Sequence, residues 1–132
     1  MNFIGAIKNG FIKCFDFHSR TSRSEFWYFY LFTTIFGLIG LQIDQFFSLQ
    51  ILSFQLSQNI NENIILGPTY IFLYFLFFMP SLSLYIRRLH DINRSGWWLL
   101  IAIIPFIGIV TLIFFWCLKG NNQSNNYGDI SN

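Results

Sequence analysis

Nine consecutive residues carry most of the chemistry open to this chain: Arg87-Arg88-Leu89-His90-Asp91-Ile92-Asn93-Arg94-Ser95. Guanidinium groups grip phosphate or carboxylate through paired hydrogen bonds, so these arginines could hold an anion or a lipid headgroup. They could equally pair with Glu25 or Asp16 and lock one end of a helix bundle. His90 beside Asp91 could act as an oriented proton acceptor. Catalysis would need a nucleophile as well, and no nucleophile–base–orienter set stands out, so an enzyme is not expected. His18 and His90 lack the further ligands of a metal site, and no CxxC or Cys/His spacing occurs. No cofactor is implied.

Two short stretches repeat one pattern. Arg23-Ser24-Glu25-Phe26-Trp27 and Arg94-Ser95-Gly96-Trp97-Trp98 both read Arg-Ser-x-aromatic-Trp. An arginine at headgroup depth, a hydroxyl able to cap a helix and an aromatic at the interface make a membrane entrance. Two convergent anchors are the first reading of the likeness, and five residues cannot establish a duplication. With Arg20 ahead of the first entrance, the candidate residues are Arg20, Arg23, Glu25, Arg87, Arg88, His90, Asp91, Arg94, Ser95 and Trp97. Together they form a candidate cap for headgroups or for a protein partner.

The elements that position this cap follow from composition. Hydrophobic residues are 54% of the 132 and charged ones only 11%, against about 25% charged in soluble domains. Fourteen charged side chains cannot clothe a soluble fold of this size. Eight Lys and Arg in so apolar a chain give no basic stripe for nucleic acid. Lipid removes the difficulty, because apolar side chains can face outward there. The expected fold is all-α: one membrane domain over 1–132, a small polytopic bundle of about three transmembrane helices behind an N-terminal amphipathic helix.

Residues 3–17 read as that amphipathic helix, with Phe3, Ile4, Ile7, Phe11, Cys14 and Phe15 on one face. It could rest in the interface or pack on the bundle's own end. No cleavable signal is expected, since Lys8, Lys13, Arg20 and Arg23 interrupt any apolar core. Ser22 to Glu25 has capping-box spacing and marks a helix start. Span one, 26–43, runs 18 residues without a charge, about 27 Å of helix and close to the hydrocarbon thickness. Gly37 and Gly40 allow close helix contact. Asp44 then marks the far interface or an exposed position just beyond it.

Residues 46–56 are apolar enough to lie on the membrane, and 57–63 form a polar loop. Span two, 64–86, holds 13 Ile, Leu or Phe among 23 residues, which favours insertion by about 4 to 8 kcal/mol. Pro80 should kink it, with Ser81, Ser83 or a neighbouring helix meeting the freed carbonyl. Span three, 96–118, is interrupted at Pro105 and Gly108. One kinked crossing is the first reading and a re-entrant hairpin the second. A single crossing would set Cys14 and Cys117 on opposite sides of the membrane. Residues 119–132 read as a polar, loop-like or disordered tail.

Seven basic residues precede span one or join spans two and three, and none joins spans one and two. Short Lys/Arg-rich segments stay cytoplasmic, so the N-terminus and the second connection are expected inside a plasma membrane. No ionisable residue lies deep in a span, which argues against ion-coupled transport.

At these residues the chain resembles a bacterial inner-membrane family catalogued as domain of unknown function 805. The likeness runs through Arg20-Thr21-Ser22-Arg23-Ser24-Glu25-Phe26-Trp27, Arg87-Arg88-Leu89-His90-Asp91, Arg94-Ser95-Gly96-Trp97-Trp98, Ile104-Pro105 and Gly108. It ends in a Gly-x-Asn-x-Tyr-Gly-like tail, here Gly120 to Gly128 with Asn126 and Tyr127. The tail stretch 121–125 and Thr21-Ser22 depart from the usual pattern. The resemblance implies a bacterial plasma-membrane protein and no particular activity. The expected function is a non-enzymatic membrane protein whose cap holds anionic lipids or a partner. The alternative is a subunit of a small transporter or channel, a homo-oligomer using the interrupted third span.

Overall fold

The computed structural model describes residues 2–47 and 67–129. The predicted interfacial stretch 46–56, the polar loop 57–63 and the first residues of span two thus lie largely outside the described residues. Those described are helical, with one isolated bridge between Asn125 and Gly128 and no strand. Four α-helices occur: α1 Phe3–Ile12, α2 Arg23–Phe47, α3 Pro68–Asp91 and α4 Ile107–Cys117. A 3₁₀ helix, Gly96–Ile103, lies between α3 and α4. Among the described residues, two helices are long and apolar enough to cross a membrane, Arg23–Phe46 and Pro68–Asp91. At 1.5 Å per residue each is about 36 Å long.

The chain divides into two compact units, Leu31–Phe78 and the remainder, Met1–Tyr30 with Met79–Asn132. Within the 31–78 unit, α2 and α3 pack through small and aromatic residues. A side chain at Gly40 would lie 2.8 Å from Leu73 Cδ1, so the glycine lets the helices close up, as its position in the sequence predicts. Phe32 and Phe36 set their rings edge-on to Phe77 at 5.6 and 6.2 Å. Asp44 is not the exposed position that one of its two readings expects. It is only 4% exposed, and its two carboxylate oxygens accept from the Thr69 and Tyr70 N–H groups at 3.0 and 2.8 Å. These are first-turn N–H groups of α3 with no carbonyl partner inside the helix, so α2 supplies the cap for α3.

In the other unit, Phe26, Phe29 and Leu84 form the core, with Trp27, Tyr85 and Trp116 packed on it. α1 ends at Ile12, short of the predicted 17, because Asp16 turns the chain. Its carboxylate accepts from the His18 and Ser19 N–H groups and from the Ser19 hydroxyl. Burial works to raise the Asp16 carboxyl, but those hydrogen bonds and the Arg87 charge outweigh it and hold its pKa below the ordinary carboxylate value. α1 docks on α2 through its small residues. Ala6 and Gly10 are buried, and Gly10 sits against the Phe29 ring. Ile4 and Phe15, from the predicted apolar face, stay 78% and 73% exposed.

The largest departure is at 96–118, where the chain forms a hairpin in place of one kinked helix. Trp98 and Phe115 set their rings 5.4 Å apart, whereas 17 residues of straight helix would part them by about 25 Å. The reversal is a γ-turn: Phe106 has φ 62° and ψ −65°, and the Ile107 N–H donates to the Pro105 carbonyl at 2.8 Å. Pro105 has no N–H with which to extend the 3₁₀ helix. Gly108 completes the fold, since any side chain there would strike the Ile101 carbonyl. The hairpin brings Cys117 back to Arg23, whose guanidinium donates to the Cys117 carbonyl at 3.3 Å. The argument for Cys14 and Cys117 on opposite sides therefore loses its basis.

Candidate functional site

The predicted cap residues separate into three groups within the 1–30 and 79–132 unit. The first is a buried lock centred on Asp91, at the last residue of α3. Arg20 donates from Nε and Nη2 to Asp91 Oδ1, at 3.1 and 3.0 Å. Arg88, one helical turn before Asp91, pairs with the other carboxylate oxygen. One carboxylate thus faces two guanidinium groups, and all three side chains are 3% exposed or less.

The surplus positive charge is met by backbone carbonyls from the tail. Arg20 donates to the carbonyls of Asn121 at 2.6 Å and Gln123 at 2.9 Å, and also to that of Gly128. Arg88 donates to the carbonyls of Trp116, at 3.1 Å, and Leu118. Gly120 passes so close to the Asp91 carboxylate that no side chain fits there. The Asn125 side chain donates to the His90 carbonyl at 2.8 Å, and the His90 imidazole stacks flat on Tyr127 at 3.9 Å. The tail read as loop-like or disordered is therefore a loop held in place by the cap as far as residue 129. His90 does not pair with Asp91, whose carboxylate is occupied by Arg20 and Arg88. The proton-acceptor pairing is a correction to the sequence reading.

The second group joins α1 to α3. Arg87 is fully buried and donates from Nε to the Ser83 hydroxyl at 3.3 Å. Glu25, 3% exposed, and Asp16 are the acidic groups whose charges bear on it. Ser83, itself fully buried, lies within hydrogen-bond reach of the Lys13 and Asp16 carbonyls at 2.8 and 2.6 Å. That hydroxyl serves α1 and its turn, not the interruption at Pro80. The ion pairing with Glu25 or Asp16 anticipated from the sequence is not formed: both terminal nitrogens of Arg87 and Glu25 Oε1 are buried without a hydrogen-bond partner among the described residues.

The third group faces outward. Arg23 and Arg94 are exposed, as is Trp97 at 78%, and Ser95 is half-buried. The Arg94 guanidinium lies 5.3 Å over the Trp98 ring and 5.8 Å from the Phe115 ring, a cation–π sandwich across the mouth of the hairpin. The two Arg-Ser-x-aromatic-Trp stretches thus do different things. The first opens a 25-residue α-helix with the Ser22 hydroxyl on the Glu25 N–H at 3.4 Å, and the second opens the 3₁₀ helix of the hairpin. Sequence reasoning gave Asp44 and Ser83 other roles and missed the close approach of Gly120 to Asp91 and the tail carbonyls. Only the tail carried a signal, in its Gly, Asn and Tyr spacing.

The described residues hold no cluster of three His, Cys, Asp or Glu side chains able to bind a metal ion. The described residues define an all-α protein with two apolar helices of membrane-crossing length. Residues 14–129 match the family described as "Protein of unknown function (DUF805)", and the chain belongs to it. It is 38% identical to the inner membrane protein YhaI of Escherichia coli K12, over 86% of this chain and 83% of that protein. It is 35% identical to the inner membrane protein YhaH of the same strain, over 85% and 84% of the two. This is accordingly a bacterial inner-membrane protein. No solved structure matches it.

Proposed function

We propose that this is a multi-pass, non-enzymatic inner-membrane protein whose cytoplasmic cap binds anionic lipid headgroups. α2 and α3 cross the bilayer, and the N-terminus lies inside. The observation that carries the reading is the segregation of charge. All eight Lys and Arg fall in the unit 1–30 with 79–132, and none falls in 31–78. Such one-sided basic residues are retained on the cytoplasmic side.

The 96–118 segment is then a re-entrant hairpin that leaves and rejoins the cytoplasmic interface. Its 3₁₀ and α arms have 8 and 11 residues, about 16 Å each and half the hydrocarbon thickness. The apolar tip, with Phe106 84% and Ile103 78% exposed, is suited to lipid. The buried lock makes the cap rigid and leaves Arg23, Arg94 and Lys119 exposed for headgroups. Lipids are the partners in this reading.

Fusions test the topology. A fluorescent protein after Asn132 should glow and an alkaline phosphatase there should be inactive. A phosphatase inserted at Asn59 should be active. An active phosphatase after Asn132 would reject the re-entrant hairpin, and an inactive one at Asn59 would reject the two crossings.

A further inference from the structure

Beside the Asp91 lock the cap leaves a cleft of about 270 Å³, lined by Ser22, Arg23, Ser24, Asp91, Lys119 and the tail backbone at 120–122. We infer that this cleft is a phosphate-binding site that takes the headgroup phosphate of an anionic phospholipid. The inference rests on the headgroup-binding reading of the cap and assigns it to one site.

The chemistry of the lining selects an anion. Asp91 is its one acidic side chain, and that carboxylate already serves Arg20 and Arg88. Arg20 and Arg88 neutralise Asp91 from outside the lining, and Arg23 and Lys119 are the two cations that line the cleft. Arg23 spends Nη1 on the Cys117 carbonyl and keeps other donors, and Lys119 is exposed on the cleft wall. On the rim the Ser22 and Ser24 hydroxyls are hydrogen-bonded to each other at 3.3 Å, which leaves one hydroxyl proton of the pair to donate to a ligand. Arg23 and Ser24 also open α2, where first-turn N–H groups have no carbonyl partner in the helix. Guanidinium, ammonium and paired hydroxyls match the oxygens of a phosphate.

Position selects the source. Arg23 stands three residues before Phe26, where the uncharged run of α2 begins. A group held there is at the depth of lipid phosphates, and free phosphate would reach it from the cytoplasm.

Native mass spectrometry of the full chain tests the site, with phosphatidylglycerol, phosphatidylethanolamine and inorganic phosphate as probes. The parent should retain phosphatidylglycerol over phosphatidylethanolamine. R23A/K119A should lose that retention by about tenfold, the worth of one or two charge-assisted hydrogen bonds. S24D should lose it too while melting no lower than the parent, since an acid in the first turn favours the helix and repels the ligand. Should R94A lose the lipid while R23A/K119A and S24D keep it, the cap still binds headgroups and this cleft is refuted. Equal retention of both lipids by the parent would overturn the cleft and the headgroup reading together. Binding of inorganic phosphate at R23A/K119A-sensitive strength, with no preference between lipids, would keep the phosphate site and refute its lipid source.

Discussion

Arg20 reaches across 71 positions of sequence to place two guanidinium nitrogens on one oxygen of Asp91, at 3.1 and 3.0 Å. Arg88 holds the other oxygen. Removing the shared acid would strand two buried cations. Breaking a buried pair by removing one partner costs about 3–5 kcal/mol. Asp91→Asn should therefore lower the melting temperature in detergent sharply and cut the yield of folded protein. An unchanged melting temperature would show that the tail carbonyls alone satisfy both arginines.

The hairpin depends on Gly108 lying against the Ile101 carbonyl. Gly108→Val should force the arms apart. In a cysteine-free background, W98C with F115C should cross-link readily through a short bifunctional reagent, and adding Gly108→Val should abolish the product. Equal cross-linking in both would mean that the arms close by another route.

Asp44 binds α3 at its first turn through two N–H groups. Asp44→Ala should cost about 1–2 kcal/mol, the ordinary worth of a helix cap, and Asp44→Asn less. Chemical denaturation in mild detergent reads the difference directly. Equal stability of Asp44→Ala and the parent would exclude the capping role.

Asp16 is held below the ordinary carboxylate range by the turn that ends α1, despite partial burial. The unfolded chain binds that proton more readily, so the turn stabilises the fold above the unfolded pKa of about 3.9. The contribution is lost as pH falls through the lower folded value. Melting curves taken from neutral pH down to about pH 3 should show this acid loss in the parent, and Asp16→Asn should remove part of it.

The sequence was legible where one local rule decided the outcome. Uncharged runs predicted both long helices, and the Ser22 hydroxyl starts α2 as its spacing requires. It was illegible where partners lie far apart. Asp44 did not show itself as a helix cap because its partners, Thr69 and Tyr70, follow 25 and 26 residues later. The Arg87 to Asp91 segment announced a polar cluster without saying which arginine Asp91 would take from outside it. Pro105 and Gly108 allowed both a kink and a reversal, and the choice fell to the close approach at Ile101. The tail looked unstructured because it contributes carbonyls, which every residue carries and no composition reveals.

The same tail gives the lock a place in time. Arg20 is translated early, yet three of its carbonyl partners, Asn121, Gln123 and Gly128, are made 101 to 108 residues later. Until they emerge, a guanidinium destined for burial has too few acceptors, and the α1–α2 junction must keep it wet. A nascent chain stalled before residue 121 can insert its helices and still fail to close this junction. The lock therefore closes only after the tail has been made. A product truncated there would expose Arg20 and Arg88 to water, and membrane proteases would have an open cap to attack.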